Sequence, residues 1–283
     1  MKLGAHLSIA GGHINALKKI IEIGGNCLQI FSASPRGWNF AEFTDTQIEE
    51  FKIIKNELQI DPIYFHASYL VNLADTGRIS QLSKNLLIHE LKIASQLGVR
   101  GSIIHLGSYK DTNKDSLFNG LDSVYSSFIE DIKYILEKTP QDTFFIIENA
   151  GNRKIGLKLE EISEIITDVA NSRLKVCLDT CHLHAAGYDL SSQEKFAAFI
   201  KLFDSLIDLD RLEVIHLNDS KDTLGSLRDR HENIGQGHVG INIFTQFINH
   251  QTTREIPMII EVPGYDDKGP DKKNIDMIKH LVE

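Results

Sequence analysis

The chain has few cysteines, a single tryptophan, fewer basic than acidic side chains and no long apolar run, and each shortage excludes something. Three cysteines in 283 residues, Cys27, Cys177 and Cys181, are too few and too scattered for a disulfide framework, which suits a reducing compartment. No apolar stretch approaches the roughly 18 residues of a membrane-spanning helix. The stretch from Met1 to Gly12 lacks the charged head and continuous apolar segment of a signal peptide. A soluble, cytoplasmic protein with no membrane partner is expected. Thirty Lys and Arg against 39 Asp and Glu leave a formal charge of −9, which at first sight argues against nucleic acid, since phosphate binding draws on basic side chains. Three divalent cations would offset about six of those charges at a single cleft.

What the chain does contain is a set of short apolar segments, each stopping on a residue able to ligate a metal. Ile63-Tyr64-Phe65 runs into His66, Ser102-Ile103-Ile104 into His105, and Phe144 to Ile147 into Glu148. Val176-Cys177-Leu178 runs into Asp179, Val214-Ile215 into His216, and Met258-Ile259-Ile260 into Glu261. Apolar runs without in-out alternation are expected of parallel strands covered on both faces. Two further strands are expected at Lys2 to His6 and at Asn26 to Phe31.

Helical spacing fills the gaps. Thr44 opens a helix bearing Ile48, Phe51 and Leu58; Gly98 closes one bearing Leu82, Leu86, Ile93 and Leu97; Leu121, Val124, Phe128, Ile132 and Ile135 hold a stripe on the next. Eight strands alternating with helices predict an α/β protein with a closed (β/α)8 TIM barrel, formed as one domain over residues 1–283. In that architecture the loops after the strands form the active face, where the six candidate ligands fall. An open doubly wound sheet is the competing fold, but ligands from six strands could hardly meet at one crevice.

A second cluster lies after the seventh strand. In an extended segment Asp229 and His231 project to the same side and can chelate one ion, with His182 as a third ligand. Cys177 and Cys181 are expected to be packed thiols rather than ligands. Mixed imidazole and carboxylate donors without thiolate point to Zn²⁺, with Mn²⁺ and Fe²⁺ as alternatives on ligand type alone. Nine candidate donors are too many for one tetrahedral ion and suit about three ions sharing a carboxylate.

Several ordered motifs carry a resemblance over essentially the whole chain: His66-Ala-Ser-Tyr69-Leu70-Val-Asn72, Leu178-Asp179-Thr-Cys-His182 with Ala185-Ala-Gly-Tyr-Asp189, His216-Leu-Asn-Asp-Ser with Asp229-Arg-His231, and Ile260-Glu261. The chain resembles the endonuclease IV family of apurinic/apyrimidinic endonucleases. The resemblance implies three zinc ions: His66 and His105 on the first, Glu148 bridging to a second completed by Asp179, His216 and Glu261, and His182, Asp229 and His231 on the third. It implies hydrolysis of the phosphodiester 5′ to an abasic nucleotide in double-stranded DNA, and removal of blocked 3′ ends. Arg36, Tyr69 and Leu70 would enter the duplex and fill the gap left by the missing base, with Trp38 supporting that loop. Glu261 and Glu148 would be catalytic, the former orienting water and the latter holding two ions together.

Leu106, Leu227 and Gln236 depart from the family pattern, which bears on local loop shape and phosphate contacts. His6 is expected behind the ligands, and Lys221, Arg228, Arg230 and Arg153 as phosphate contacts. A monomer without protein partners is expected. The rival enzyme reading is a divalent-metal sugar isomerase or epimerase on the same barrel, which leaves Asp229, His231 and the Arg36 loop without a task. The non-enzymatic rival is a zinc-stabilised module that binds abasic duplex without cutting it.

Overall fold

A computed structural model describes residues 1–75, 77–109 and 123–283. Eight parallel strands close a barrel: β1 (Leu3–Leu7), β2 (Cys27–Phe31), β3 (Ile63–His66), β4 (Gly101–Ile104), β5 (Phe144–Glu148), β6 (Leu174–Asp179), β7 (Leu212–His216) and, after a small hairpin of β8 (Asp219–Ser220) and β9 (His231–Glu232), β10 (Met258–Ile260), which pairs with both β7 and β1. The expected (β/α)8 barrel is therefore the observed fold. Helices α1 (His13–Glu22), α2 (Asp45–Glu57), α3 (Arg78–Leu97), α4 (Ser123–Glu137), α5 (Leu159–Val169), α6 (Thr180–Ala186) with α7 (Gln193–Ile207), and α8 (Ile241–Asn249) separate successive strands.

Local chemistry sets several of these limits. Thr44 caps α2 through a capping box with Gln47, which satisfies two backbone N–H groups that the first turn leaves open. Gly98 ends α3 in the left-handed conformation, φ 66°, where a Cβ is costly. The expected stripe on α4 holds from Val124 onward, while Leu121 lies outside the described residues.

Two elements near the site have no counterpart in the sequence reading. The short helix α6 is buried along its whole length, and the segment after the seventh strand that carries Asp229 and His231 contains the antiparallel pair β8 and β9. A further helix, α9 (Lys272–Lys279), lies beyond the last strand.

Inside the barrel, side chains two residues apart on a strand face the same way, so the interior is built in layers. One layer is apolar: Cys27, Tyr64, Ile103, Ile146, Cys177, Val214 and Ile259 form a fully buried cluster of their own. Gly4 completes it, because a Cβ there would collide with the Cys27 carbonyl oxygen. A step of two residues along each strand reaches His6, Gln29, His66, His105, Glu148, Asp179, His216 and Glu261. Every strand thus lends one polar side chain to a ring that sits directly on an apolar floor.

Candidate metal centre

Glu148 is the hub of that ring. Its carboxylate is completely buried at the end of β5 and meets four imidazoles: Oε2 lies 3.2 Å from Nε2 of both His66 and His105, and Oε1 lies 3.1 Å from His216 Nδ1 and 3.3 Å from His182 Nδ1. Glu261, just past β10, places Oε2 3.3 Å from His216 Nδ1 and Oε1 3.0 Å from His6 Nδ1. Asp179 caps α6 by accepting the His182 backbone N–H at 2.8 Å on Oδ1, which leaves Oδ2 3.7 Å from His216 Nδ1 and 3.6 Å from His231 Nε2.

The hairpin brings in the remaining pair. Asp229 Oδ1 is 3.0 Å from His182 Nε2 and 3.6 Å from His231 Nε2. The donors fall into sets whose atoms lie within 4.8 Å of one another: His66, His105 and Glu148; Glu148, Asp179, His216 and Glu261; and His182, Asp229 and His231. All nine sequence-predicted ligands are brought together.

The imidazoles are oriented for coordination. A backbone carbonyl can only accept, so His66 Nδ1–H donates to Ala67 O at 2.8 Å, His182 Nδ1–H to Asn149 O at 2.9 Å, and His231 Nδ1–H to Glu261 O at 3.3 Å. His216 Nε2 lies 2.7 Å from Gln29 Oε1. In His66, His216 and His231 the outer nitrogen is held by a hydrogen bond and the inner nitrogen faces the carboxylates, while in His182 the held Nδ1 also lies beside Glu148 and Nε2 faces Asp229; outer hydrogen bonds of this kind orient metal-bound histidines. Among the described residues, His231 Nε2 is buried with no hydrogen-bond partner. Two donors each about 2.0–2.1 Å from a tetrahedral ion are about 3.3 Å apart. The spacings above run from 3.0 to 3.7 Å, so the donor set fits divalent metal.

Electrostatics agrees. Burial disfavours the charged forms of Glu148 and Glu261, yet the surrounding imidazoles, His216 foremost for Glu261 and His105 with His216 for Glu148, hold both carboxyls well below the ordinary carboxylate value. Burial works against protonated His182 and His216, but the nearby acidic groups raise both well above 6.5. His105 is different: burial brings it down to about 4. Anions this deep need cations. Protonated imidazoles balance them when no metal is bound, and divalent ions can replace those protons.

Cys181 lies within reach of Asp179 and His231. Burial pushes its thiol up to about 12, and it points to the Arg230 carbonyl, so it stays a neutral thiol; Cys177 sits in the apolar floor.

Three buried carboxamides that sequence reading passed over hold this arrangement. Asn149 Oδ1 accepts the Asp179 backbone N–H at 2.6 Å. Asn218 donates to Asp179 Oδ2 at 2.6 Å and accepts the Glu261 backbone N–H at 2.7 Å. Gln29 joins His216 to Glu261, with Nε2 donating to Glu261 Oε1 at 2.5 Å. The signal for Gln29 was the two-residue step beyond Cys27, visible once the inward layer is counted; His6, expected behind the ligands, lies 3.0 Å from Glu261.

The mouth above the ring is a cavity of about 760 Å³ lined by ring residues together with Ser8, Phe31, Arg36, Tyr69, Pro263 and Asp267. Arg36 is exposed and Tyr69 is 67 % exposed, so both stand over the centre. Leu70 is half-buried beside Tyr69 and does not line the cavity, and Trp38 packs against the core under the Arg36 loop. Arg230 is committed to Asp222 through both Nε and Nη2, and Arg228 Nη1 lies 3.6 Å from the same carboxylate.

Comparison with known proteins gives a consistent picture. The model of the family described as xylose isomerase-like TIM barrel matches residues 17–281. A "Probable endonuclease 4" of Thermosipho melanesiensis is 39% identical over 270 residues, covering 93% of each chain. The crystal structure of endonuclease IV from Thermus thermophilus superimposes with a TM-score of 0.85 at 29% identity, over 99% of this chain and 98% of that one. A D-tagatose 3-epimerase-like protein gives a TM-score of 0.73 at 18% identity, over 99% and 97%, a likeness of fold alone.

Proposed function

Because this chain belongs to the xylose isomerase-like TIM barrels and, among them, to the endonuclease 4 family, we propose that it hydrolyses the phosphodiester 5′ to an abasic nucleotide in duplex DNA. The products are a 3′-hydroxyl and a 5′-deoxyribose phosphate, and blocked 3′ ends are removed at the same centre. The observation that carries this reading is the third donor set, His182, Asp229 and His231, beside the two sets on the barrel rim and under an exposed Arg36 and Tyr69.

The cofactor is zinc, three ions per chain, on the sets described above, because nitrogen and oxygen donors without thiolate suit it. When bound, such ions acidify water and draw negative charge from phosphoryl oxygens and from the leaving oxygen. The side chains do the rest. Glu148 holds the first two donor sets together. Glu261, steadied by Gln29 and by the tie of Asn218 to its backbone N–H, orients the attacking water. Arg36 and Tyr69, with Leu70 behind, enter the duplex where no base is stacked and unstacking costs least. No side chain is needed as nucleophile. The enzyme works as a single domain over residues 1–283, as a monomer, in the cytoplasm; no helix of the described residues is long and apolar enough to cross a membrane.

A sugar epimerase on this barrel is the weaker reading, since it gives no role to the hairpin ligands. The deciding test is incision of a duplex with one abasic site, run beside metal analysis of the same preparation. Cleavage 5′ to the lesion with about three zinc ions bound is expected; an intact oligonucleotide, or turnover of a ketose instead, would overturn the proposal.

A further inference from the structure

The geometry points to Gln29 as a positioning residue for this reaction: it fixes which nitrogen of His216 faces the centre and, through the same amide group, the direction of the Glu261 carboxylate. The inference rests on the metal reading above and deepens it.

Seven of the eight members of the polar ring are imidazoles or carboxylates, and Gln29 alone has no charge to offer. It is completely buried in the middle of β2, where an amide without partners would be expensive. Its partners are His216 Nε2 at 2.7 Å, Glu261 Oε1 at 2.5 Å and His6 Nδ1 at 2.8 Å. A carboxylate only accepts, so the amide nitrogen must face Glu261 and the amide oxygen must face His216. The oxygen in turn requires His216 to carry its proton on Nε2. Nδ1 is then bare, and it is Nδ1 that lies 3.1 Å from Glu148, 3.3 Å from Glu261 and 3.7 Å from Asp179.

The other oriented imidazoles rely on main-chain carbonyls, which no substitution removes. The outer nitrogen of His216 depends on a side chain, so its orientation can be taken away by mutation. Gln29 also couples a ligand on β7 to one after β10, because the amide cannot rotate for one partner without failing the other.

The test uses the full-length enzyme, with zinc titrated against a chromophoric chelator and two-bond ¹H–¹⁵N correlations of the imidazole rings. Gln29→Met keeps the volume and removes all three hydrogen bonds. One zinc is expected to bind about 10- to 100-fold more weakly, as when an outer-shell partner is lost, while the His182, Asp229 and His231 ion is unaffected. Gln29→Glu can still accept from His216, but 2.5 Å from the Glu261 carboxylate it can face that group only by sharing a proton with it. This variant is expected to restore zinc affinity to within a few-fold, with incision falling more steeply than the parent's as pH rises and the shared proton is lost, a dependence that a merely structural role would not produce. In the unmutated enzyme the ring spectra are expected to show His216 protonated at Nε2 and bare at Nδ1, which needs no variant to fold. Three zinc ions bound with unchanged affinity in Gln29→Met, or the opposite tautomer of His216, would overturn the role. Native enzyme that takes up no zinc would instead sink the metal reading itself.

Discussion

Asp219 offers a measurement that does not depend on metal. Its carboxylate is fully buried and accepts four backbone N–H groups: Oδ1 takes Ser220 at 2.8 Å and Val239 at 2.9 Å, and Oδ2 takes Gly235 at 2.9 Å and Gly237 at 3.0 Å. These bonds fasten the return of the hairpin that carries Asp229 and His231. In Asp219→Asn one oxygen becomes an NH2 group, so whichever way the amide turns, one pair of N–H donors faces another donor. The NH2 group turns to the less buried pair, Gly235 and Gly237, and keeps the buried Ser220 and Val239 bonds; losing two bonds to a carboxylate costs about 1.5 kcal/mol each at this partial exposure, or about 3 kcal/mol together. That is a large share of the roughly 5–15 kcal/mol that holds a domain folded.

The assay is urea unfolding of the chelator-treated variant and parent, with amide hydrogen exchange at Gly235, Gly237 and Val239. Either the global midpoint drops or the loop opens first, and then those three amides lose protection while the barrel strands keep theirs. A variant within about 0.5 kcal/mol of the parent, the scale of ordinary surface changes, with protection unchanged, would refute the reasoning. With zinc present, the same variant should hold two ions firmly and the third weakly.

Three other outcomes are expected. Glu261→Gln should lower incision by about 100-fold or more, the range of a positioned proton-handling group, with little change in abasic-duplex affinity; near-normal turnover removes Glu261 from the chemistry. Arg36→Ala with Tyr69→Ala should weaken abasic-duplex binding by about tenfold or more, from the loss of an aromatic contact with the bases, at unchanged zinc content; equal affinity in a gel-shift titration would count against the loop. Chelated protein should be most stable near pH 6.5. His182 and His216 have raised pKa values, so their contribution is complete below the unfolded value of 6.5 and fades as pH rises above it; His6 and His105 have lowered values, so theirs is complete above 6.5 and fades as pH falls. A urea midpoint that climbs steadily from pH 6.5 to 8.5 would contradict this.

The barrel and six of the donors were legible because six strands are short apolar runs that stop on one conspicuous polar residue, while His182, Asp229 and His231 were reached through their spacing after the sixth and seventh strands. The hairpin and α6 were not, for reasons of length: paired segments of two residues show no period, and a seven-residue helix buried on all sides has no polar face to reveal it. In α9 the inward positions Ile275 and Ile278 are outnumbered by charged neighbours, which hides the pattern. The carboxamides escaped notice because Asn149, Asn218 and Gln29 act on ligands rather than as ligands, and their meaning lies in distances across the barrel.

The step of two residues between floor and ring has a consequence for how this protein tolerates change. Deleting or inserting a single residue inside any of the eight strands would swing its ring residue outward against the helices and drop an apolar group into the mouth. Insertions in the connecting loops leave that phase intact. The reading frame of each strand is thus itself a chemical requirement, and lineages of this barrel should vary freely in loop length while strand length stays frozen.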